Sequence, residues 1–102
     1  MVKDERRAFI NLLRKMSKRG FYETLQYIHE RGRVHYADIL NYNLKSRVVE
    51  SRATVTLTIR ELAKLGLVQR TIVDSRPIRT VYQVTEKGQK LLQHLNAIKQ
   101  LT

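Results

Sequence analysis

The stretch of residues 51–66, SRATVTLTIRELAKLG, constrains the fold more than any other part of the chain. Ser51 stands where a helix N-cap belongs, and Gly66 stands where a helix ends. Three apolar residues recur at helical spacing and define one buried face: Val55, Ile59 and Leu62. The sequence therefore predicts an amphipathic helix over residues 51–65, with Ser46 as a competing N-cap.

The opposite face of this helix offers small side chains, hydroxyl groups, one leucine and two cations: Ala53, Thr56, Leu57, Arg60 and Lys64. Such a surface fits a DNA major groove, where arginine recognises guanine, threonine bonds several base edges and apolar groups contact the thymine methyl. An ordinary amphipathic surface helix explains the same pattern. Residues 51–66 alone favour the ordinary surface helix. The residues that follow them favour the DNA-binding interpretation instead.

After Gly66 the periodicity changes from helix to strand. Segments 67–73 and 78–84 are rich in β-branched residues and flank the turn-forming sequence 74–77, DSRP. This pattern predicts a two-stranded antiparallel hairpin, which must pack on the helices because an isolated hairpin is marginally stable. Its basic residues fit phosphates or a narrow minor groove, although they also serve to protect an exposed strand edge: Arg70, Arg76 and Arg79.

The rest of the chain supplies four more helices and a short strand. Apolar spacing predicts helices at residues 3–18, 21–30, 36–42 and 86–101, the last capped by Thr85. Arg33–His35 is predicted as a very short strand, and residues 41–50 as an irregular connection. We therefore expect one α+β domain over residues 1–102, mainly α with a small β-hairpin. A helix-turn-helix followed at once by a hairpin, the "wing", is the winged-helix arrangement.

Charge indicates the kind of partner. The 102 residues carry 20 Lys and Arg against 9 Asp and Glu, a formal net charge of +11. Residues 44–80 hold eight of these basic residues against three acids, as the neutralisation of phosphates requires. A second basic group lies near the start of the chain: Lys3, Arg6, Arg7, Arg14, Lys15, Lys18 and Arg19.

Other chemistry finds little support. The chain has no cysteine, which excludes disulfides, thiol redox sensing and cysteine-based zinc sites. Its three histidines, His29, His35 and His94, lack the spacing of a metal site, and no residues form a catalytic pair or triad. We expect no enzyme activity and no cofactor. Without a membrane-spanning segment or signal peptide, the chain is expected to be soluble and cytoplasmic.

Four short motifs follow one another along the chain: residues 32–39 (GRVHYADI), Ser51 with residues 59–62 (IREL), residues 66–70 (GLVQR) and residues 79–88 (RTVYQVTEKG). In this order they resemble parts of the winged-helix transcriptional regulators of the HxlR type, within the MarR-like group. The parts are the start of the helix-turn-helix, the recognition helix, the helix-to-wing junction and the second wing strand. The match covers roughly residues 20–95 and lacks the N-terminal cysteine that many members use in sensing.

This resemblance implies a homodimer on a palindromic site, held by the helices at residues 3–18 and 86–101. Two apolar stripes agree with a dimer interface, although they also suit packing on their own domain. They consist of Phe9, Ile10, Leu13 and Met16 in the first helix and Leu91, Leu95 and Ile98 in the last.

The hypothesis is thus a sequence-specific regulator of transcription that binds double-stranded DNA. The residues assigned to contact with bases or flanking phosphates of the DNA are Ser51, Arg52, Ala53, Thr54, Thr56, Leu57 and Arg60. Lys45 and Lys64 are assigned to contact with the DNA backbone. The contacts of the wing are assigned to Arg70, Arg76 and Arg79. Two alternatives use the same charge differently, namely a non-specific nucleoid protein and a protein-interaction module. Binding to a membrane surface is disfavoured, and no small-molecule effector is indicated.

Overall fold

The computed structural model describes residues 3–74 and 76–102. Its elements are α1 (Lys3–Met16), α2 (Phe21–Arg31), β1 (Arg33–His35), α3 (Tyr36–Lys45), α4 (Arg52–Lys64), β2 (Val68–Val73), β3 (Arg79–Val84) and α5 (Glu86–Lys99). The predicted winged-helix architecture is confirmed, with flanking helices at both ends. One residue of the predicted 74–77 turn, Ser75, lies outside the described residues, as do Met1 and Val2.

Helix α4 begins and ends where its capping residues predict. The Ser51 hydroxyl accepts the Thr54 backbone N–H at 3.4 Å, which confirms Ser51 as the N-cap. Gly66 follows the helix with φ of +76°, a left-handed conformation that a residue with a side chain adopts at a cost. The three apolar residues of its predicted buried face are each at most 3% exposed: Val55, Ile59 and Leu62.

The prediction of an irregular connection at residues 41–50 is wrong for its first half, because α3 continues to Lys45. The reason is Asn43, whose amide lies in the core at 1% exposure. The amide nitrogen donates to the Thr24 hydroxyl at 3.1 Å and to the Ile39 carbonyl at 3.0 Å. Asparagine is common in turns, so the sequence suggests a turn at this position. In the structure the hydrogen bonds of Asn43 make it a buried link between α2 and α3. Helices α1 and α5 each end two residues earlier than predicted, at Met16 and Lys99.

The sheet has three antiparallel strands in the order β1-β3-β2, so the predicted hairpin gains a third strand. Val34 of β1 pairs with Tyr82 of β3, which pairs with Arg70 of β2. Because directly opposed residues share a face, these three side chains lie on one side of the sheet. Arg33, one residue earlier in β1, points to the other side.

The core lies between this sheet and the helices, and α2 contributes Phe21, Leu25 and Ile28, all at most 2% exposed. Thr85 joins the end of α4 to the start of α5. Its hydroxyl accepts the Gly88 N–H at 3.1 Å and donates to the Gly66 carbonyl at 2.6 Å. These two bonds tie the start of α5 to the turn that follows α4.

The two predicted interface stripes divide between core and solvent. Met16 of α1 and Leu91 of α5 pack against the core of their own domain. Phe9 and Ile98 are 50% and 58% exposed, and α1 has no buried residue. Across the described ranges, no helix combines the length and apolar character that a membrane span requires.

Candidate nucleic-acid interface

The centre of the candidate interface is the exposed ridge of α4. Leu57 is 60% exposed, and Arg60, Ala53 and Lys64 are exposed beside it. In the described part of the chain, no hydrogen bond or ion pair involves the Arg60 guanidinium. The ridge therefore presents an apolar side chain and exposed cations to solvent. The opposite face of α4 is buried in the core and holds the helix in place.

The N-terminal turn of α4 exposes Ser51, Arg52 and Thr54. The Ser51 hydroxyl is engaged by the Thr54 N–H, so it serves as a cap in the free protein. Free backbone N–H groups and the positive end of the helix dipole make such a turn favourable for a phosphate. Arg52 adds an exposed positive charge at the same end.

Thr56 is less available than its sequence position suggests. Its side chain is half-buried, and its hydroxyl lies 2.7 Å from the hydroxyl of Tyr36 at the start of α3. The sequence assigns Thr56 to base contact and does not single out Tyr36. The structure brings the two together, so that Tyr36 orients the hydroxyl at the base of the ridge.

On one flank of the ridge, a cleft of about 370 Å³ separates α4 from the wing. Arg60 lines it from α4 and Arg70 lines it from β2, with Tyr36 and Tyr82 at its base. Two arginines that are ten positions apart therefore border one depression. Helix α4 and the wing therefore present their arginines to the same cleft.

The wing adds a second open cleft of about 630 Å³, which Arg70 and Arg79 line together with Asp38 of α3. The Asp38 carboxylate accepts the His35 backbone N–H at 3.1 Å, so it also caps α3. Arg76, near the wing tip, and Lys45, at the end of α3, are exposed and line neither cleft.

The other flank of the ridge carries cations that the predicted contact list omits. Lys18 and Arg19 share a depression of about 480 Å³ with Leu57 and Arg60. Beside them, the Lys15 ammonium forms an ion pair with the carboxylate of Glu61. In the sequence these lysines and arginines form a basic group near the start of the chain. No motif around them indicates that they lie beside α4 in the fold.

Within residues 3–74 and 76–102, no group of three or more histidine or acidic side chains is placed to hold a metal ion. Along α4, the single acid, Glu61, is engaged by Lys15. The exposed charged side chains of α4 are therefore all positive.

Comparisons with known proteins agree with this geometry. The HxlR-like helix-turn-helix family model matches residues 42–102. The reduced form of the transcriptional regulator YodB from Bacillus subtilis is 19% identical, with TM-score 0.71, over 97% of this chain and 88% of that one. A protein described as a MarR-family transcriptional regulator from Enterococcus faecalis is also 19% identical, with TM-score 0.75, over 99% and 87%.

A PadR-like transcription factor from Bacteroides fragilis is 22% identical, with TM-score 0.72, over 91% of this chain and 89% of that one. At these identities the likeness to solved structures establishes the fold. No curated protein matches the sequence.

Proposed function

Because this chain belongs to the HxlR-like helix-turn-helix family of transcriptional regulators, we propose that it binds specific double-stranded DNA sites as a homodimer, in the cytoplasm. In this proposal α4 is the recognition helix and enters the major groove, and the wing contacts the neighbouring backbone or minor groove. The observation that supports it best is the cleft that Arg60 of α4 and Arg70 of β2 line together. Contacts to bases and contacts to phosphates are then available from one continuous surface.

Base recognition is assigned to the ridge of α4. Arg60 has a guanidinium free to bond guanine, and Leu57, at 60% exposure, offers an apolar surface to a thymine methyl. Ala53 is small enough to let the helix approach the base edges closely. The remaining proposed contacts are to bases or flanking phosphates: Ser51, Arg52, Thr54, Thr56, Lys64, Lys45, Arg70, Arg76 and Arg79.

The dimer is assigned to α1 and α5. Exposed apolar side chains occur on both helices, among them Phe9 at 50%, Leu13 at 39% and Ile98 at 58%. Exposed apolar surface on two helices of a small domain favours burial against a second copy. Ile10, Met16, Leu91 and Leu95 complete the proposed interface, although Met16 and Leu91 also serve their own core.

Selection from a random duplex library tests sequence specificity and symmetry together. We expect the selected sites to be palindromic, with half-sites about 34 Å apart, one turn of duplex. Binding to a selected site is expected to exceed binding to its scrambled version by roughly 10³-fold or more. Duplex binding without enrichment of any sequence would indicate a non-specific architectural protein. Failure to bind any duplex would instead favour a protein-interaction module.

The wing assignment predicts a specific salt effect for Arg76→Ala. If Arg76 neutralises one phosphate, the slope of log K against log salt becomes shallower by about 0.9. Fluorescence anisotropy with a labelled duplex over a range of salt concentrations measures the slope. The matched control is Arg33→Ala, since Arg33 is an exposed arginine of β1 that lines neither cleft beside the wing. An Arg76→Ala slope equal to that of the parent protein would contradict the assignment.

A further inference from the structure

The turn of the helix-turn-helix contains a residue in an unusual conformation. Arg47 has φ of +55°, and in the described part of the chain it is the only residue other than glycine with a positive φ. It follows the Ser46 C-cap of α3, where the Arg47 N–H donates to the Leu44 carbonyl at 3.3 Å and the Val48 N–H donates to the Asn43 carbonyl at 3.0 Å. This pair of bonds is the Schellman motif, in which glycine is the usual left-handed residue. An arginine there is strained, since its Cβ crowds the backbone.

Strain at a single position indicates that the side chain or the backbone of Arg47 has a use. Its backbone carbonyl accepts a hydrogen bond from the Arg19 guanidinium at 2.7 Å. Its own side chain is exposed to solvent. Two arginines that are 28 positions apart are thereby joined at one point of the surface.

The contact between these segments is close. Gly20, next to Arg19, is buried, and a Cβ added to it would lie 3.0 Å from Cγ1 of Val49 and 3.9 Å from the Thr58 hydroxyl oxygen of α4. The connection between α1 and α2 therefore packs directly on the helix-turn-helix. Lys18 and Arg19 are carried to the side of α4, where they share the depression with Leu57 and Arg60.

The position of this cluster relative to the wing follows from helical geometry. The α4 residues that line the wing cleft include Thr56 and Ala63, whereas those in the Lys18 depression include Thr54 and Glu61. At 100° per residue these two sets lie on opposite flanks of the helix, and Arg60 borders both. The ion pair with Lys15 occupies Glu61, the acid on this flank, so its carboxylate does not compete for Lys18 or Arg19.

We propose that Lys18, Arg19 and Arg47 form a second phosphate-binding cluster on the flank of α4 opposite the wing, so that DNA backbone is held on both sides of α4. The proposal rests on the DNA-binding function proposed above and adds contacts to it. Arginine suits this position because its planar guanidinium donates several hydrogen bonds. Arg19 thus holds the turn through one N–H and keeps others for phosphate oxygens.

Arg47→Gly is the decisive variant, because it removes the charge and relieves the strain together. We expect its denaturant midpoint to be equal to or above that of the parent protein. With a 40-base-pair duplex of random sequence as the probe, we expect the slope of log K against log salt to become shallower by about 0.9. Lys18→Ala should reduce the slope by the same amount, whereas Arg47→Lys should retain it because the charge is kept. Arg33→Ala again serves as the control.

The possible outcomes separate the two proposals. If the parent protein binds the duplex and both Arg47→Gly and Lys18→Ala keep its slope, the second cluster is refuted while DNA binding stands. If the parent protein binds no duplex, both proposals fall. An Arg47→Gly variant that loses affinity because it is destabilised would also contradict the argument, because relief of strain predicts the opposite change in stability.

Discussion

Arg60→Ala is expected to weaken binding to the selected DNA site by roughly 1–3 kcal/mol, about 5- to 150-fold. Arg60 stands on the exposed ridge of α4 and borders both flanking depressions, so it lies beside proposed contacts on either flank. Its guanidinium has no intramolecular partner within the described residues, so its loss leaves the fold intact. The measurement is anisotropy titration with the selected and the scrambled duplex at one salt concentration.

Specificity distinguishes a base contact from a phosphate contact. Loss of a base contact lowers the affinity for the selected site far more than that for the scrambled site, whereas loss of a phosphate contact lowers both equally. Arg33→Ala removes the same charge from β1, outside both depressions that flank α4, and is expected to leave the ratio unchanged. If Arg60→Ala reduced both affinities equally, Arg60 would be a phosphate contact and the recognition of guanine would need another residue.

Gly88→Ala is expected to have the largest effect on stability, a loss of about 3 kcal/mol in the free energy of unfolding. A Cβ at this position would lie 2.2 Å from the Leu67 carbonyl oxygen and 2.7 Å from Cγ1 of Val84. The Leu67 carbonyl is not free to move, because it accepts the Thr85 backbone N–H at 3.0 Å. The higher helix propensity of alanine, about 1 kcal/mol, is too small to offset this overlap.

Urea denaturation of the parent protein and the variant measures this effect. Gln89→Ala is the matched control, since Gln89 is the next residue of α5 and is exposed. We expect Gln89→Ala to unfold at about the same urea concentration as the parent protein. A Gly88→Ala protein as stable as the parent would mean that α5 shifts away from the sheet at little cost, and would contradict the close packing of Gly88 against Leu67 and Val84.

The features that the sequence predicts correctly are those that a few neighbouring residues decide. The Ser51 cap, the buried face at Val55 and Ile59, and the end of α4 at Gly66 each follow from side chains within a turn or two of helix. The change to strand periodicity after Gly66 likewise belongs to one continuous stretch. These local signals, in their order, are sufficient for the winged-helix arrangement.

The features that the sequence does not predict depend on partners far along the chain. Helix α3 continues through Asn43, whose side-chain amide donates a hydrogen bond to the Thr24 hydroxyl of α2. Nothing in the sequence around Asn43 indicates that bond. The sequence predicts the three-residue strand β1 but not its pairing with Tyr82 and its neighbours, which makes it part of the sheet. Pairing over such a separation is decided by the packing of the whole domain.

The same distinction applies to the candidate interface. Arg60 and Leu57 are recognisable from helical spacing alone, since exposure follows from the position of the buried face. The bond between the Tyr36 and Thr56 hydroxyls, and the contact between Arg19 and the turn at Arg47, join residues 20 and 28 positions apart. Hence the residues on the ridge are predictable, whereas the neighbours that orient and flank them require the fold.

The central position of β3 in the sheet decides how the wing bends. Residues 81–83 of β3 are bonded on both sides, by β1 and by β2, whereas the outer pairs Ile72–Thr80 and Val73–Arg79 are bonded only to each other. The root of the hairpin is therefore held by pairing on both sides of β3, whereas its far end is held only by the pairing of β2 with β3. In the proposed DNA complex, we expect the arginines near the far end of the hairpin to adjust to grooves of different width, while the doubly paired root keeps the angle between wing and α4 constant.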